Sequence, residues 1–445
     1  MKIVNPATQT LIIEIASDDS KSVRAKFEQA KSAQKNWALL PMESRIACLS
    51  KFSNLLEKNS EKLALDLTSE MGKPLNESLN EINGSRKRIA FFIENAPKYL
   101  SESQIFDDGT TKEVLSFDAL GVIANISAWN YPFLVGVNVF VPALIAGNAV
   151  LYKPSEFATL TGLNIANLLH EAGVPKNVFS LVIGEAAVGA ALLDLPIDGV
   201  FFTGSFKTGK YIAEKVAPKL IPVGLELGGK DPLYVTDEIT DIKKVAADAA
   251  EGCLYNNGQS CCAVERLYVH EKVYNEFMEH FIKEVNNFKV GAVTRPQHLD
   301  FLDSQIKDAL LKGAKVATGG KRVSGIGSFY EPTVLVDVTH QMDVMKEETF
   351  GPLIGVMKVK NDEEAILLMN DSEYGLTASV YSKNIDRAKK IVAQVDTGTS
   401  YINCCDRVSP YLPWSGRKNS GLGSTLSFLG LLAFVKPRGQ HIRGA

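Results

Sequence analysis

The first hundred residues alternate charged and apolar positions with the period of an α-helix. The pattern is clearest in SVRAKFEQAKSAQKNW at 22–37 and in RIACLSKFSNLLEKNSEKLALDLTSEM at 45–71. We therefore predict that residues 20–105 are largely helical. Residues 113–126, EVLSFDALGVIANI, have the character of strands instead.

From about residue 126 to 235, apolar strand-like segments alternate with helical ones. The strand-like segments are AVLYK, VFSLVIG, GVFFTG and VGLELG, and the helical ones are LTGLNIANLLHEAG and KYIAEKVAPK. This alternation predicts βαβ units and a parallel sheet. A second alternating region follows, with helical VYNEFMEHFIKEVNNF and SQIKDALLKGAK and strand-like ASVYS and TSYIN. The apolar tail from about 425, TLSFLGLLAFVKPRG, has no obvious partner nearby in the sequence and could pair with another subunit.

Residues 133–152 carry no charge over 20 positions, which is long enough to span a bilayer. Pro142, Gly147 and Asn148 interrupt the run, and no second run of this kind occurs. We predict a buried helix, a Gly-Asn turn and a buried strand that ends near Lys153.

The composition adds limits on function. The 445 residues have a formal net charge of −3, which gives no indication of a nucleic-acid or membrane-surface partner. The six cysteines include two adjacent pairs and no C-x-x-C, and the N-terminus does not have the pattern of a signal peptide. We expect a cytoplasmic protein of two or three domains that binds neither nucleic acid nor membrane.

The segment FFTGSFKTGKY at 201–211 matches most of the phosphate-binding P-loop pattern. Tyr211 stands where that pattern needs a small hydroxyl for Mg²⁺, which weakens the case for an ATP site. A glycine loop between a strand and a helix still favours an anion, and a dinucleotide pyrophosphate fits as well as a triphosphate. The alternative is a plain strand-to-helix turn.

Three further segments could carry chemistry. NNGQSCCAVER at 256–266 offers a cysteine nucleophile or merely a core thiol. Glu226 in VGLELGGKDP is a general base or half of a structural ion pair, and Asn130 in SAWNYP is an oxyanion donor or part of a turn. The scattered histidines predict no metal site, and no G-x-S-x-G motif is present.

Seven short motifs occur together over nearly the whole chain, in an order that resembles the aldehyde dehydrogenase superfamily. They are WNYP at 129–132, KPSE at 153–156, FTGS at 202–205, LELGGK at 225–230, GQSC at 258–261, EETFGP at 347–352 and YIN at 401–403. The resemblance implies an α/β fold of three parts. A Rossmann-like NAD-binding domain would comprise 1–100 and 121–228, and an α/β catalytic domain 229–428. A small β element for oligomerisation would comprise 101–120 and 429–445, in a homodimer or homotetramer.

The resemblance also implies a mechanism, in which the Cys261 thiolate adds to an aldehyde to form a thiohemiacetal. Asn130 and the Cys261 backbone N–H would stabilise the oxyanion. Hydride transfer to the nicotinamide would leave a thioester, which water activated by Glu226 would hydrolyse to a carboxylic acid. Cys262 is the competing nucleophile on composition alone, and the resemblance places it in the pocket wall.

The cofactor residues implied by the resemblance are Trp129, Lys153, Ser155, Glu156, Thr203, Gly204, Ser205, Leu227, Glu348 and Phe350. The Glu156 carboxylate would accept hydrogen bonds from a free ribose 2′-hydroxyl and would repel a 2′-phosphate. We therefore expect NAD, with NADP less favoured.

The implied substrate pocket consists of Tyr131, Asn138, Ser260, Cys262, Arg407 and Trp414. Arg407 could pair with a distal carboxylate, as in succinate semialdehyde, or it faces solvent or pairs with Asp406. Tyr131 and Trp414 could instead contact a cationic head, as in betaine aldehyde, so the identity of the small aldehyde stays open.

Three rival functions remain at this point: a CoA-acylating relative, a non-catalytic dinucleotide-binding protein and a P-loop phosphotransferase. CoA-acylating relatives generally lack the glutamate that Glu226 supplies, and retention of Cys261, Glu226 and Asn130 argues against a non-catalytic role.

The chain also departs from the family pattern. It starts near NPAT without the usual N-terminal extension, and VGAVTRPQHLD at 290–300 lacks a Gly-Pro. PWSG at 413–416 replaces P-F-G-G, and Ser424 and Thr425 replace Arg-Glu. We expect these changes to affect the substrate and the assembly more than the reaction.

Overall fold

A computed structural model of the chain describes residues 1–444, so Ala445, at the end of the predicted oligomerisation element, lies outside the described residues. The α-helices, in chain order, are α1 (Ser20–Leu39), α2 (Met42–Lys58), α3 (Ser60–Met71), α4 (Leu75–Leu100), α5 (Pro132–Ile145), α6 (Thr159–Glu171), α7 (Ala186–Asp194), α8 (Phe206–Val216), α9 (Ile242–Leu254), α10 (Tyr274–Asn287), α11 (His298–Leu311), α12 (Asp362–Asn370), α13 (Ile385–Val392) and α14 (Ser427–Leu432).

The strands are β1 (Lys2–Val4), β2 (Leu11–Glu14), β3 (Ser103–Asp107), β4 (Thr111–Ala119), β5 (Val122–Ile126), β6 (Ala149–Lys153), β7 (Phe179–Leu181), β8 (Gly199–Thr203), β9 (Val223–Glu226), β10 (Asp231–Val235), β11 (Val264–His270), β12 (Lys315–Thr318), β13 (Thr333–Val336), β14 (Leu353–Val359), β15 (Tyr374–Gly375), β16 (Thr377–Tyr381), β17 (Thr399–Ile402), β18 (Arg417–Lys418), β19 (Gly421–Leu422) and β20 (Val435–Arg443).

The first large sheet has the strand order β19-β9-β8-β5-β6-β7. Its five longer strands run parallel, and β19 joins β9 antiparallel at one edge. The predicted parallel sheet is therefore confirmed. Since the carboxyl ends of parallel strands meet at one edge, the segments that follow β5, β6, β8 and β9 lie side by side there.

The second large sheet has the order β12-β13-β14-β11-β10-β16-β17, and all its pairs except β12–β13 are parallel. Its strands β10, β11 and β16 are buried along their whole length, as expected for a sheet with helices on both faces. Cys261 lies in the loop that connects α9 to β11, so it directly precedes a central strand of the second sheet.

The helical prediction for residues 20–105 is confirmed as far as Leu100, where α4 ends. Beyond that point the prediction is wrong, because Ser103–Asp107 pairs antiparallel with β4. The β4 strand also pairs with β20, so the apolar tail finds a partner within its own chain. The division of the chain into domains stays a prediction.

The uncharged run at 133–152 forms a buried helix, a turn and a buried strand, as predicted. Helix α5 packs against α2 and α4, Gly147 adopts a φ of 93° in the turn, and every residue of β6 is buried. Among residues 1–444, no helix is both long and apolar enough to cross a membrane.

Candidate active site

The loop between β8 and α8 contains only Gly204 and Ser205, because α8 already begins at Phe206. Gly209 and Lys210 therefore lie inside the helix, and a Cβ at Gly209 would come within 2.4 Å of the Leu227 side chain. A P-loop needs these residues in the phosphate-binding turn. The P-loop alternative is thus wrong for this chain.

A cleft of ≈ 730 Å³ opens at the carboxyl edge of the first sheet, within the size range of small-molecule and cofactor sites. All ten residues predicted for the cofactor line it: Trp129, Lys153, Ser155, Glu156, Thr203, Gly204, Ser205, Leu227, Glu348 and Phe350. They come from the ends of four neighbouring strands and from the 348–350 segment.

The turn after β8 has the features of an anion-binding turn. Ser205 caps α8, its hydroxyl accepting a hydrogen bond from the Thr208 amide at 3.4 Å. A Cβ at Gly204 would come within 2.4 Å of the Phe202 ring, so glycine keeps this approach to the backbone open. The helix N-terminus adds a partial positive charge facing the cleft.

At the far end of this cleft, β6 ends in Lys153, whose burial lowers the pKa of the ammonium while the charges of Glu156 and Glu185 oppose that effect. The Ser155 hydroxyl donates to Glu156 Oε2 at 3.3 Å. The Lys153 ammonium and the Glu156 carboxylate thus lie close to each other between β6 and α6.

The opposite end of the cleft is formed by the segment that contains Glu348 and Phe350. Glu348 Oε1 accepts the Gly229 amide at 3.1 Å, and burial raises the pKa of Glu348 to about 8. Glu265 holds this segment in place, since its carboxylate accepts the Phe350 amide at 2.8 Å and the Lys230 ammonium at 2.7 Å.

A second cavity, of ≈ 700 Å³, is bounded by α4, α5, α9 and the 403–410 loop. All six residues predicted for the substrate pocket line it: Tyr131, Asn138, Ser260, Cys262, Arg407 and Trp414. Among the residues that the structure describes, Cys261 is the one residue that lines both this cavity and the cleft.

The loop before Cys261 has an unusual backbone. Asn256, Asn257 and Gly258 have φ values of 55°, 60° and 70°, a left-handed conformation that is costly for residues other than glycine. The Asn256 amide N–H donates to Glu77 at 2.8 Å, and the Asn256 side chain donates to the Asn130 carbonyl at 3.0 Å. Hydrogen bonds thus hold this loop in a strained shape at the junction of the two cavities.

Two N–H donors near Cys261 have no acceptor within residues 1–444. One is the Cys261 backbone amide, and the other is the side-chain amide of Asn130, which lines the cleft and is 4% exposed. The Asn130 carbonyl is fixed by the Lys73 ammonium at 2.7 Å and by Asn256. Such fixed, unused donors suit a developing oxyanion.

Glu226, the last residue of β9, also lines the cleft. Its Oε1 accepts the Thr425 hydroxyl at 3.0 Å, whereas its enclosed Oε2 has no hydrogen-bond partner among the described residues. Burial raises the pKa of Glu226 to about 8, against the opposing effects of Thr425 and the charge of Arg88. A carboxyl group with such a pKa and a free oxygen suits proton transfer.

A family model described as "Aldehyde dehydrogenase family" matches residues 1–438. The chain is 34% identical to succinate-semialdehyde dehydrogenase [NADP(+)] from Deinococcus radiodurans over 98% of its length and 93% of the relative's. It is 34% identical to peroxisomal aminoaldehyde dehydrogenase 1 from Pisum sativum, over 96% of its length and 89% of the relative's.

The crystal structure of betaine aldehyde dehydrogenase from Staphylococcus aureus in complex with NAD⁺ superposes with a TM-score of 0.95 at 29% identity, covering 100% of this chain and 92% of that one. The chain belongs to the aldehyde dehydrogenase family. The family resemblance and the predicted fold class are both confirmed, and the family uses a nicotinamide cofactor to oxidise aldehydes.

In this aldehyde dehydrogenase, the predicted pocket residues differ in what they contact. Arg407 has an exposed side chain and pairs with Glu251 at 3.5 Å, and not with Asp406. Asp406 instead accepts the Cys262 thiol hydrogen at 3.0 Å. The Cys262 side chain is buried, whereas that of Cys261 is partly exposed.

Three residues that contact or line the sites of this aldehyde dehydrogenase were not predicted from the sequence: Arg88, Glu265 and Thr425. Arg88 recurs at helical spacing with the buried positions Glu81 and Ser85 of α4, a signal that could have placed it on the inner face. Glu265 could have been noticed as an acidic residue beside Arg266 in a strand that is buried along its whole length. Thr425 was noted only as a departure from the family pattern, and no sequence signal indicates its contact with Glu226.

Proposed function

We propose that this enzyme oxidises a small aldehyde to its carboxylic acid with NAD, through a covalent intermediate on Cys261. The observation that carries the proposal is the position of Cys261, the residue shared by the cofactor cleft and the second cavity. A nucleophile at that junction can meet a substrate from one side and a nicotinamide from the other.

The cleft fits a dinucleotide. A side chain at Gly204 would collide with the Phe202 ring, so this turn requires glycine. The capped N-terminus of α8 favours the pyrophosphate, with Ser205 beside it. Lys153 and Glu156 would bind the adenosine ribose, and Glu348 the nicotinamide ribose. The chemistry supplied by the bound nicotinamide is acceptance of a hydride from the substrate carbon.

The chain's own residues would carry the remaining steps. The Cys261 thiolate adds to the aldehyde carbon, and the unused N–H groups of Cys261 and Asn130 stabilise the oxyanion. After oxidation, the substrate is held as a thioester. The Glu226 carboxylate, which lines the cleft, then removes a proton from a water molecule that attacks this thioester.

Glu226 also favours hydrolysis over transfer of the acyl group to CoA, because an enclosed carboxylate with a raised pKa is suited to activating water. The same residue and the unused donors disfavour a non-catalytic binding protein. A non-catalytic dinucleotide-binding protein would have no need of a strained loop before Cys261.

For the substrate we propose an aldehyde with a distal carboxylate, with succinate semialdehyde as the first candidate. The relative from Deinococcus radiodurans carries that substrate in its name. A cationic head such as that of betaine aldehyde is the alternative, and Tyr131 and Trp414 would have to receive it. The Lys73 ammonium already lies 4.4 Å from the centre of the Tyr131 ring, which disfavours a second cation there.

For the cofactor we propose NAD over NADP, because Glu156 would repel a 2′-phosphate. The named NADP dependence of the Deinococcus relative makes this choice a point to test. We further propose a homodimer or homotetramer, since the edge strands β3 and β20 are exposed and Phe106 and Ile442 lie open to solvent.

The test is to follow NADH absorbance with purified enzyme, NAD or NADP, and a panel of succinate semialdehyde, betaine aldehyde, propanal and an aromatic aldehyde. We expect NADH with NAD, fastest on succinate semialdehyde, and no turnover by Cys261→Ala. If no aldehyde of the panel gave NADH although the enzyme measurably bound NAD, the non-catalytic alternative would be favoured.

A further inference from the structure

Arg88 on α4 is a buried cation that the mechanism above does not use. It is 8% exposed, and it lines the same cavity as Cys261 and the six predicted pocket residues. Arginine is seldom buried without a partner, because a charge loses its hydration there. The position of this guanidinium therefore needs an explanation.

The hydrogen bonds of Arg88 leave part of its guanidinium free. Nη1 donates to the Asn138 side-chain oxygen at 3.0 Å and to the Leu134 carbonyl at 3.3 Å, and both acceptors are neutral. Nε and Nη2 have no acceptor within residues 1–444, yet both atoms keep some exposed surface. These two groups therefore open onto the cavity.

The other charges of the cavity do not neutralise Arg88. Lys244 pairs with Asp248 at 2.5 Å and Arg407 pairs with Glu251 at 3.5 Å, so both acidic residues of α9 already have partners. The third carboxylate, Asp406, accepts the Cys262 thiol, and burial raises the pKa of that carboxyl group. Within residues 1–444 Arg88 therefore has no salt-bridge partner, although its charge also acts on Asp406 and Glu226.

Arg88 is also close to the reacting sulfur. Burial lowers the pKa of its guanidinium to about 10, and the charges of Cys262, Glu81 and Cys261 act against that shift. The group therefore stays charged at neutral pH. Arg88 and Cys261 line the same cavity, so a substrate bound covalently at Cys261 extends into the space that Arg88 faces.

We propose that Arg88 binds the distal carboxylate of the aldehyde substrate, through its free Nε and Nη2 groups. These two donors form one edge of the guanidinium fork, which matches the two oxygens of a carboxylate. Asn138 is then a positioning residue that fixes the other edge. The inference rests on the proposed function, and it assigns to Arg88 the role that the sequence alone suggested for Arg407.

The test compares wild type with Arg88→Met and Arg88→Lys on two substrates, succinate semialdehyde and the uncharged butanal. Lys244→Met is the matched control, since it removes a cation that lines the same cavity and already pairs with Asp248. Arg407→Met tests the alternative carboxylate partner. We expect Arg88→Met to lose at least about 30-fold in kcat/KM on succinate semialdehyde, mainly through KM, and little on butanal. The kcat/KM of Arg88→Lys on succinate semialdehyde should lie between those of wild type and Arg88→Met, and Lys244→Met should stay close to wild type.

An equal loss on both aldehydes would overturn the inference, because it would assign Arg88 to folding or to the electrostatics of Cys261. A loss confined to Arg407→Met would overturn it as well. Thermal unfolding with succinate gives a readout that needs no turnover. We expect succinate to raise the Tm of wild type and of Lys244→Met, but not that of Arg88→Met.

This second measurement also separates the two proposals. If wild type oxidised no aldehyde, the proposed function would fail, and a Tm shift with succinate that depends on Arg88 would still support the carboxylate site. Equal Tm shifts with succinate in all variants, or no shift in any of them, would contradict the carboxylate site at Arg88.

Discussion

The two cavities that meet at Cys261 are built from different parts of the fold. The cofactor cleft lies at the ends of parallel strands, so most of its predicted residues end or directly follow β5, β6, β8 and β9 in the sequence, and Glu348 and Phe350 complete it. The substrate cavity lies between helices and the 403–410 loop, and its inner charge, Arg88, comes from the middle of α4. The first site is fixed by the sheet, and the second by how helices pack.

This difference has a functional consequence. The register of the sheet fixes where the residues at the strand ends lie, so the backbone of the cofactor site is set by the strands. Helix positions that face a cavity can exchange side chains with less effect on the backbone. We therefore expect the cleft to determine the kind of reaction and the helical cavity to determine which aldehyde reacts.

The largest effect should come from the shared residue. Cys261→Ala should reduce turnover by about 10⁴-fold or more while both cavities keep their ligands, because only the nucleophile is lost. NADH absorbance would measure turnover, and calorimetry would measure NAD binding. The control is Cys262→Ser, which should stay within about tenfold of wild type. A larger loss in Cys262→Ser than in Cys261→Ala would exchange the two roles.

Glu226→Gln should cause the second-largest loss of turnover. Its steady-state rate should fall by about 10²–10³-fold, since an amide cannot activate water. The first turnover should survive, so stopped-flow absorbance should show a burst of NADH close to the enzyme concentration. Loss of the burst together with the steady state would place Glu226 before the thioester and contradict its proposed role.

The choice of cofactor tests the cleft alone. Glu156→Gln should lower the ratio of kcat/KM with NAD to kcat/KM with NADP by about tenfold, because the repulsion of a 2′-phosphate is removed. The KM for the aldehyde should not change. Glu185→Gln is the matched control, as Glu185 also acts on Lys153 but does not line the cleft. An unchanged ratio in Glu156→Gln would contradict the assignment.

The smallest effect concerns the pH profile. The pKa of Glu226 is raised to about 8, and the base must be deprotonated to act, so kcat should rise with pH through about 8. Thr425→Val removes the hydroxyl that stabilises the carboxylate, so the rising limb should move to higher pH by about one unit. Thr425→Ser should keep the wild-type profile, and a shift to lower pH in Thr425→Val would be the contrary result.

The same contrast explains what could be predicted from the sequence. The parallel sheet, the buried segment at 133–152 and the family were all predictable, because their signals are local patterns of spacing and motif. Ser205 and Glu226 sit in such motifs. Arg88 and Thr425 do not, since their contacts depend on how α4 packs on α5 and how β19 pairs with β9. The roles assigned to the site residues stay predictions.

The strand β3 shows the same limit within the fold. The predicted helical region extends five residues past the end of α4, because pairing with β4 overrides local helical character at 103–105. A partner far along the chain, β20, completes that sheet. Nothing in the local pattern could indicate a partner some 320 residues away.

The central claim is that the oxidised substrate is held on Cys261. The most direct measurement is intact and peptide mass spectrometry of Glu226→Gln after it is mixed with NAD and succinate semialdehyde and quenched in acid. The account predicts a succinyl thioester on the peptide that contains Cys261, in an amount that matches the NADH burst. NADH formed without any acyl adduct, or with the adduct on Cys262, would contradict it.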